Sequence, residues 1–232
     1  MYIDISNSSA NGNVMNDPVD DVEERLAAWG HKRWGFVVYR CTYASDPDFS
    51  ALLSHMKHRA TEGLKFYWGH EREVAQQLGW TIVEDRECLD GASKAAVRQM
   101  FEEWCKSPEA AAEQPDSKHK IADGYWNARY RYCLHVDQAA LSSLAEEKPW
   151  VNIVLRAWPW WPDESGSQDE DEDELEDAEE EEDCGFEEIE GDMNEDVGWC
   201  KVRIWSLLPG CYSELCSSNS WYVFYQRPPL VV

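Results

Sequence analysis

The stretch Arg33-Trp34-Gly35-Phe36-Val37-Val38-Tyr39-Arg40-Cys41-Thr42-Tyr43 decides how the chain is read. Val, Phe, Tyr and Thr suit a pleated, half-buried surface. Apolar side chains fall on both alternating faces here, which marks a central strand covered on both sides. Arg40 is the exception. A guanidinium among apolar neighbours must be paired or reach the rim of the sheet, because an unpaired buried charge is costly.

Working outward, Asp17-Pro18 offers an N-cap followed by proline at the first helical position, and Gly30 offers a left-handed stop. Val19, Val22, Leu26 and Trp29 form the apolar stripe of the helix between them. After the strand, Asp46-Pro47 repeats the start signal, and Phe49, Leu52, Leu53, Met56, Ala60 and Leu64 predict a long amphipathic helix. Glu71 to Leu78 reads as a short helix and Trp80 to Val83 as a short strand. Ser93 caps a helix with Val97, Met100, Phe101 and Trp104 on one side, and Ala110 to Ile121 reads as a loop. Tyr130 to Val136, Trp150 to Trp158, Gly198 to Ser206 and Trp221 to Arg227 read as further strands, with Asp137 capping a short helix and Pro209 to Cys216 a helical turn. In the second of these strands Val151, Ile153 and Leu155 share one face, while Trp150, Asn152 and Arg156 make a mixed face that meets something polar.

The predicted fold is α+β: a mixed or antiparallel sheet with helices on one face, in the manner of a ferredoxin-like sandwich. A single domain over 17–232 follows a disordered N-terminus at 1–16. An acidic disordered insertion at 163–196 interrupts it. That insertion carries 21 acidic residues and no Lys or Arg, whereas the whole chain has 46 Asp and Glu against 21 Lys and Arg. Outside it 25 acids face 21 cations, so the formal net charge of −25 says little about what the body binds. The start of the chain lacks a basic and apolar leader, and no apolar run approaches the roughly 18 residues of a membrane span. A cytoplasmic protein with no membrane association is expected. The eight cysteines include no C-x-x-C pair and no zinc-site spacing, so buried reduced thiols are expected, with no metal and no cofactor.

Four predicted strands each carry an arginine among aromatics: Arg40, Arg156, Arg203 and Arg227. On a shared face they would line a cleft for an anion or for stacked bases; the plainer reading is edge arginines lying over tryptophans. A second basic and aromatic patch runs from Lys118 and Lys120 to Arg129 and, with Lys57, His58, Arg59 and Lys65, has the composition to follow a phosphate backbone. Cys133 and His135 stand two apart on one strand and so share a face, which permits a Cys/His pair without arguing for one. Asp20-Asp21-Val22-Glu23-Glu24 holds the pattern D-D-x-x-E, which a helix would gather into a carboxylate cluster able to hold a guanidinium or accept a proton. The same acids also suit an ordinary solvated helix face near an N-terminus. Glycine-rich phosphate loops, nucleophile elbows and H-E-x-x-H are absent from the sequence.

Trp34 to Tyr43, Leu89-Asp90-Gly91-Ala92-Ser93 and Arg227-Pro228-Pro229 together resemble a widespread family of small fungal proteins of uncharacterised role. The D-D-x-x-E motif resembles that of the fungal arginine-containing cyclodipeptide synthases. That resemblance implies an enzyme of secondary metabolism that uses arginyl-tRNA and a second aminoacyl-tRNA, with Asp20, Asp21 and Glu24 as its catalytic residues. It implies no metal or nucleotide, because the aminoacyl ester is already activated. The basic residues Arg40, Arg156, Arg203, Arg227, Lys57, Arg59, Lys120 and Arg129 would then bind substrate and tRNA. The competing reading is a non-enzymatic interaction module whose acidic insertion binds a basic partner. A third is a small-molecule enzyme working in a Trp/Arg cleft.

Overall fold

The computed structural model describes residues 17–118, 127–158, 185–217 and 220–232. The N-terminal expectation for 1–16, the insertion from 163 to 184, and Lys120 lie outside the described residues. The chain is α+β, built on a mixed five-stranded sheet in the order β2-β1-β3-β4-β5. Its strands are β1 (Val37–Arg40), β2 (Thr81–Val83), β3 (Tyr132–Val136), β4 (Trp150–Leu155) and β5 (Trp199–Arg203). β1 runs parallel to β2 and β3, and the pairs β3/β4 and β4/β5 are antiparallel.

The organising stretch behaves as its composition dictates. Trp34, Phe36 and Val38 enter the larger core, whereas Val37, Tyr39 and Cys41 enter a second core on the opposite face. The larger core packs under α1 (Pro18–Trp29), α2 (Asp46–Phe66), α3 (Glu73–Gln77), α8 (Gln138–Ser142), α9 (Tyr212–Leu215) and α10 (Ser220–Phe224). The smaller core lies under α4 (Arg86–Leu89), α5 (Lys94–Cys105) and α6 (Pro108–Ala112), and the one-turn α7 (Ala128–Arg131) contributes to both. Most helices therefore share one face.

Local chemistry sets the helix limits. Asp17 Oδ1 accepts from the Val19 amide at 2.8 Å, and Gly30 closes α1 at φ 70°. A Cβ at Gly30 would come within 2.3 Å of the Asp116 carbonyl oxygen, so the close approach as well as the positive φ excludes other residues. Ser45 rather than Asp46 caps α2, and Ser93 caps α5 as its sequence predicts.

Three expectations are corrected. The segment read as a last strand, Trp221 to Arg227, begins instead as α10: the Tyr225 amide donates to the Trp221 carbonyl at 2.7 Å, and Trp221 stacks on Tyr132 at 5.6 Å. Its aromatic and β-branched content mimics a strand, but burying one large ring decides the local conformation. The expected loop after Ala110 contains part of α6, which Ser107 caps through the Ala110 amide. The end of the acidic insertion, 185–196, is packed against the body: Trp221 Nε1 donates to Asp196 Oδ2 at 2.7 Å, and Tyr225 donates to the Glu195 carbonyl at 2.8 Å. Pairing with the body, which composition does not show, supplies the partners that this stretch lacks within itself.

β4 is buried along its whole length, mixed face included. On the far side of β5, Val231 bridges to Lys201 in parallel. There the Arg203 amide donates to the Val232 carbonyl and the Val232 amide to the Lys201 carbonyl, both at 2.9 Å. Among the described residues no helix is long and apolar enough to cross a membrane.

Candidate functional site

A concavity of about 940 Å³ lies where the second half of α2 passes the turn Leu207–Cys211. α2 buries Phe49, Leu52, Met56, Ala60 and Leu64, so helical periodicity turns Glu62, Lys65 and Phe66 outward. Gly63 lets the two elements meet: a Cβ there would lie 2.5 Å from the Leu208 carbonyl oxygen. Past this contact the walls open, with Arg59, Glu62 and Lys65 on the α2 side and Trp205, Glu214 and Phe224 opposite.

Two exposed rings mark the mouth. Phe66 is 75% exposed and Trp205 53% exposed, which is unusual for large apolar side chains beside a cavity. Glu62 pairs with Lys65 at 3.1 Å on the exposed helix face, while Arg59 is half-buried and Glu214 exposed. The cleft thus combines flat apolar surface, cations and carboxylates, a set suited to a ligand bearing rings, negative charge and a positive group. Two of its cations, Arg59 and Lys65, belong to the α2 basic patch read from the sequence. Lys57 is exposed on the same helix and is not part of the lining.

The acidic helix face does not gather into one cluster. Asp20 and Glu23 clasp the Arg72 guanidinium: Asp20 Oδ1 accepts from Nη2 at 2.7 Å, Glu23 Oε1 accepts from Nε at 2.9 Å, and Glu23 Oε2 also accepts from Nη2. Asp21 turns the other way, accepting from Arg25 Nε at 3.1 Å and from the Ser213 hydroxyl at 2.6 Å. Glu24 is exposed. Carboxylates one turn apart can meet on a helix, but here Asp20 and Glu23 share Arg72 while Asp21 is drawn to Arg25 and to Ser213 of α9. Asp21 nonetheless touches α9 at Ser213, the residue before Glu214 in the cleft.

The four strand arginines are likewise dispersed. Arg40 lies over the rings of Tyr43 and Phe49, donates to the Thr42 carbonyl, and pairs with Glu84 at 2.9 Å and with Asp46. Arg156 pairs with Glu102 of α5 at 3.1 Å. Arg227 donates to the carbonyls of Asn194 and Glu187 and lies over Phe186, holding down the end of the insertion. Arg203 is half-buried on β5. Arg40, Arg156 and Arg227 hold different partners on different elements, so the expected common cleft is not formed among the described residues. Arg129, expected at a phosphate, is completely buried and spent on Glu113, Thr81 Oγ1 and the carbonyls of Gly35 and Gly79.

Cys133 and His135 do not form a nucleophile pair. Burial pushes the Cys133 thiol well above its ordinary value, which keeps it protonated. His135 Nε2 donates to the Ala92 carbonyl at 2.9 Å, which leaves Nδ1 as the acceptor facing Asn152 Nδ2 at 3.4 Å. Among the described residues no three His, Cys, Asp or Glu side chains gather as metal ligands.

Sequence reasoning passed over Trp205, Phe66 and Glu214 as site residues. The hydrophobic run Ile204-Trp205-Ser206-Leu207-Leu208 gives no local sign that its tryptophan faces solvent. No protein-family model matches the chain, and no curated protein or solved structure matches it.

Proposed function

We propose that the chain is an aminoacyl-tRNA-dependent cyclodipeptide synthase that makes an arginine-containing diketopiperazine, and that the α2 cleft receives the aminoacylated 3′ end. The observation that carries this reading is the joint presence of two exposed rings, two cations and two carboxylates in one cavity. Phe66 and Trp205 offer planes for unstacked bases. Arg59 and Lys65 meet the phosphates, and Glu62 and Glu214 suit the arginyl guanidinium.

The chemistry is ester aminolysis. The amine of one aminoacyl group attacks the ester carbonyl carbon of the other, the bond to the ribose oxygen breaks, and the amine proton passes to that oxygen. A second, intramolecular attack closes the ring and frees the second tRNA. The protein's main contributions are positioning and a base for the ammonium proton. In this scheme the D-D-x-x-E acids are positioning residues. Asp21 holds α9 through Ser213, and Asp20 with Glu23 holds the segment before α3 through Arg72.

The test is expression in a bacterial host, with mass spectrometry of the extract for arginine-containing diketopiperazines. Trp205→Ala and Glu214→Gln should each lower the yield by about 10²-fold with the protein still folded. A folded, abundant protein that yields no such product and does not retain arginyl-tRNA on a filter overturns the reading. Retention of a basic peptide in its place would favour the interaction module.

A further inference from the structure

On the other side of the sheet, three local rules are broken at one spot. Lys94 is the first residue of α5, directly after its Ser93 cap, where the helix dipole disfavours a cation. It is nevertheless 9% exposed, with Nζ 4.3 Å from the centroid of the Trp199 ring. Glu190, in the described end of the insertion, holds φ 54°, a left-handed conformation that a non-glycine side chain seldom adopts. Asn152, 1% exposed on β4, has a buried Oδ1 without a hydrogen-bond partner in the described structure.

These residues form one network. Lys94 Nζ donates to Glu190 Oε1 at 2.7 Å and to Asp137 Oδ2 at 3.1 Å. The same Asp137 oxygen accepts from Asn152 Nδ2 at 3.0 Å, and Asp137 Oδ1 caps α8 through the Ala140 amide. Asp137 alone would balance the lysine charge. Its position is already fixed by the cap and by Asn152, whereas Glu190 comes from a tight surface turn closed by the Ile189 and Asp192 bridge. Several strained choices converging on one contact mark a site rather than a packing accident.

We infer that Lys94, Trp199 and the Asp137/Asn152 pair form a carboxylate-binding pocket, now filled by Glu190 as an internal stand-in for a carboxylate ligand. The ligand offers one carboxylate to Lys94 over the Trp199 ring, and takes the seat when the 189–192 turn lifts away. The inference does not depend on the activity proposed for the α2 cleft, which lies against the other face.

The test uses the full chain with Glu190→Gly, which removes the carboxylate and suits the left-handed backbone. Lysines are acylated with a water-soluble active ester and located by mass spectrometry, with exposed Lys57 and Lys148 as internal standards. Lys94 should label at least tenfold faster in the variant than in the parent. Two probes separate the sources of the carboxylate: acetate for a free acid, and a blocked Ile-Glu-Gly-Asp peptide for an acidic segment. Either should restore protection and raise the thermal midpoint of the variant, and Lys94→Met in the Glu190→Gly background should abolish that response. Unchanged Lys94 labelling, or no response to either probe, means an internal ion pair only and overturns the inference. So does loss of folding in both Glu190→Gly and Glu190→Gln, because a seat that cannot be vacated binds no ligand.

Discussion

Arg129 and Glu113 meet in a two-point contact, Nε to Oε2 and Nη2 to Oε1, both at 2.8 Å, with the arginine fully buried. Burial opposes charge on Glu113, yet the Arg129 hydrogen bonds prevail and hold its carboxyl below the usual range. Removing one partner of such a pair strands the other, so Arg129→Met should cost about 3–5 kcal/mol in urea denaturation. A loss under about 1 kcal/mol would show that Glu113 finds water instead.

Arg40 offers the contrast. Its guanidinium is buried, but Asp46 and Glu84 have side chains 73% and 50% exposed, so both carboxylates can hydrate when it is removed. Arg40→Met should therefore cost less, about 1–2 kcal/mol, mostly through the Thr42 carbonyl it leaves behind. Product yield should be unchanged in a folded Arg40→Met protein, and a selective loss of product would place Arg40 in the site.

Among the acidic residues of α1, Asp21 should be the sensitive one. Asp21→Asn weakens the link to Arg25 and Ser213 and should cost about 1 kcal/mol, whereas Glu24→Gln should stay within about 0.5 kcal/mol. If Asp21 works by holding α9, Ser213→Ala should reproduce its loss of product. Full activity in Ser213→Ala together with an inactive Asp21→Asn would make the carboxylate a direct participant.

His135 gives the fold an acid-side weakness. Burial pushes its pKa below the ordinary value, opposed by its bond to the Ala92 carbonyl. The unfolded chain binds a proton below about pH 6.5 that the native ring resists. Its contribution is thus complete above about 6.5 and is lost as pH falls through that value toward the depressed native pKa. His55 is shifted the same way, so the comparison that isolates His135 is parent against His135→Gln, with denaturation midpoints taken at pH 7.5 and 5.5. The variant should show the smaller drop between the two; equal drops would assign the effect elsewhere.

The insertion has a boundary that composition conceals. Replacing residues 163–184 by a Gly/Ser linker should leave the thermal midpoint within a few degrees, because changing the length of a connecting segment alters closure entropy by only about 0.6 kcal/mol per doubling. Extending the replacement through 196 removes the Asp196 acceptor for Trp221, the Glu195 carbonyl for Tyr225, and Glu190. That second variant should melt markedly lower, and equal midpoints would show the described end of the insertion to be passive.

What was legible in the sequence was local. Asp17, Gly30 and Ser93 announce helix limits by their own hydrogen bonding and backbone preferences, and Val37 to Arg40 announces a strand by composition. What stayed hidden depends on partners distant in the chain. Glu190 is indistinguishable from its acidic neighbours until Lys94 is placed beneath it, and Arg129 reads as a surface cation until Glu113 is seen. One clue was present: a lysine in the first helical position after Ser93 opposes the dipole. Trp221 misled because the tertiary demand for a buried ring overrode the strand-like run that contains it.

The backbone bonds of Val231 and Val232 along β5 carry a last consequence. Most sheets that end in an unpaired strand must guard its open donors and acceptors against other chains. Here one margin is already occupied by the protein's own residues, and β2 at the other margin is only three residues long. Among the described residues the β5 margin is thus partly taken by the chain itself and the β2 margin is short, which limits the room for another chain to add a strand by backbone pairing.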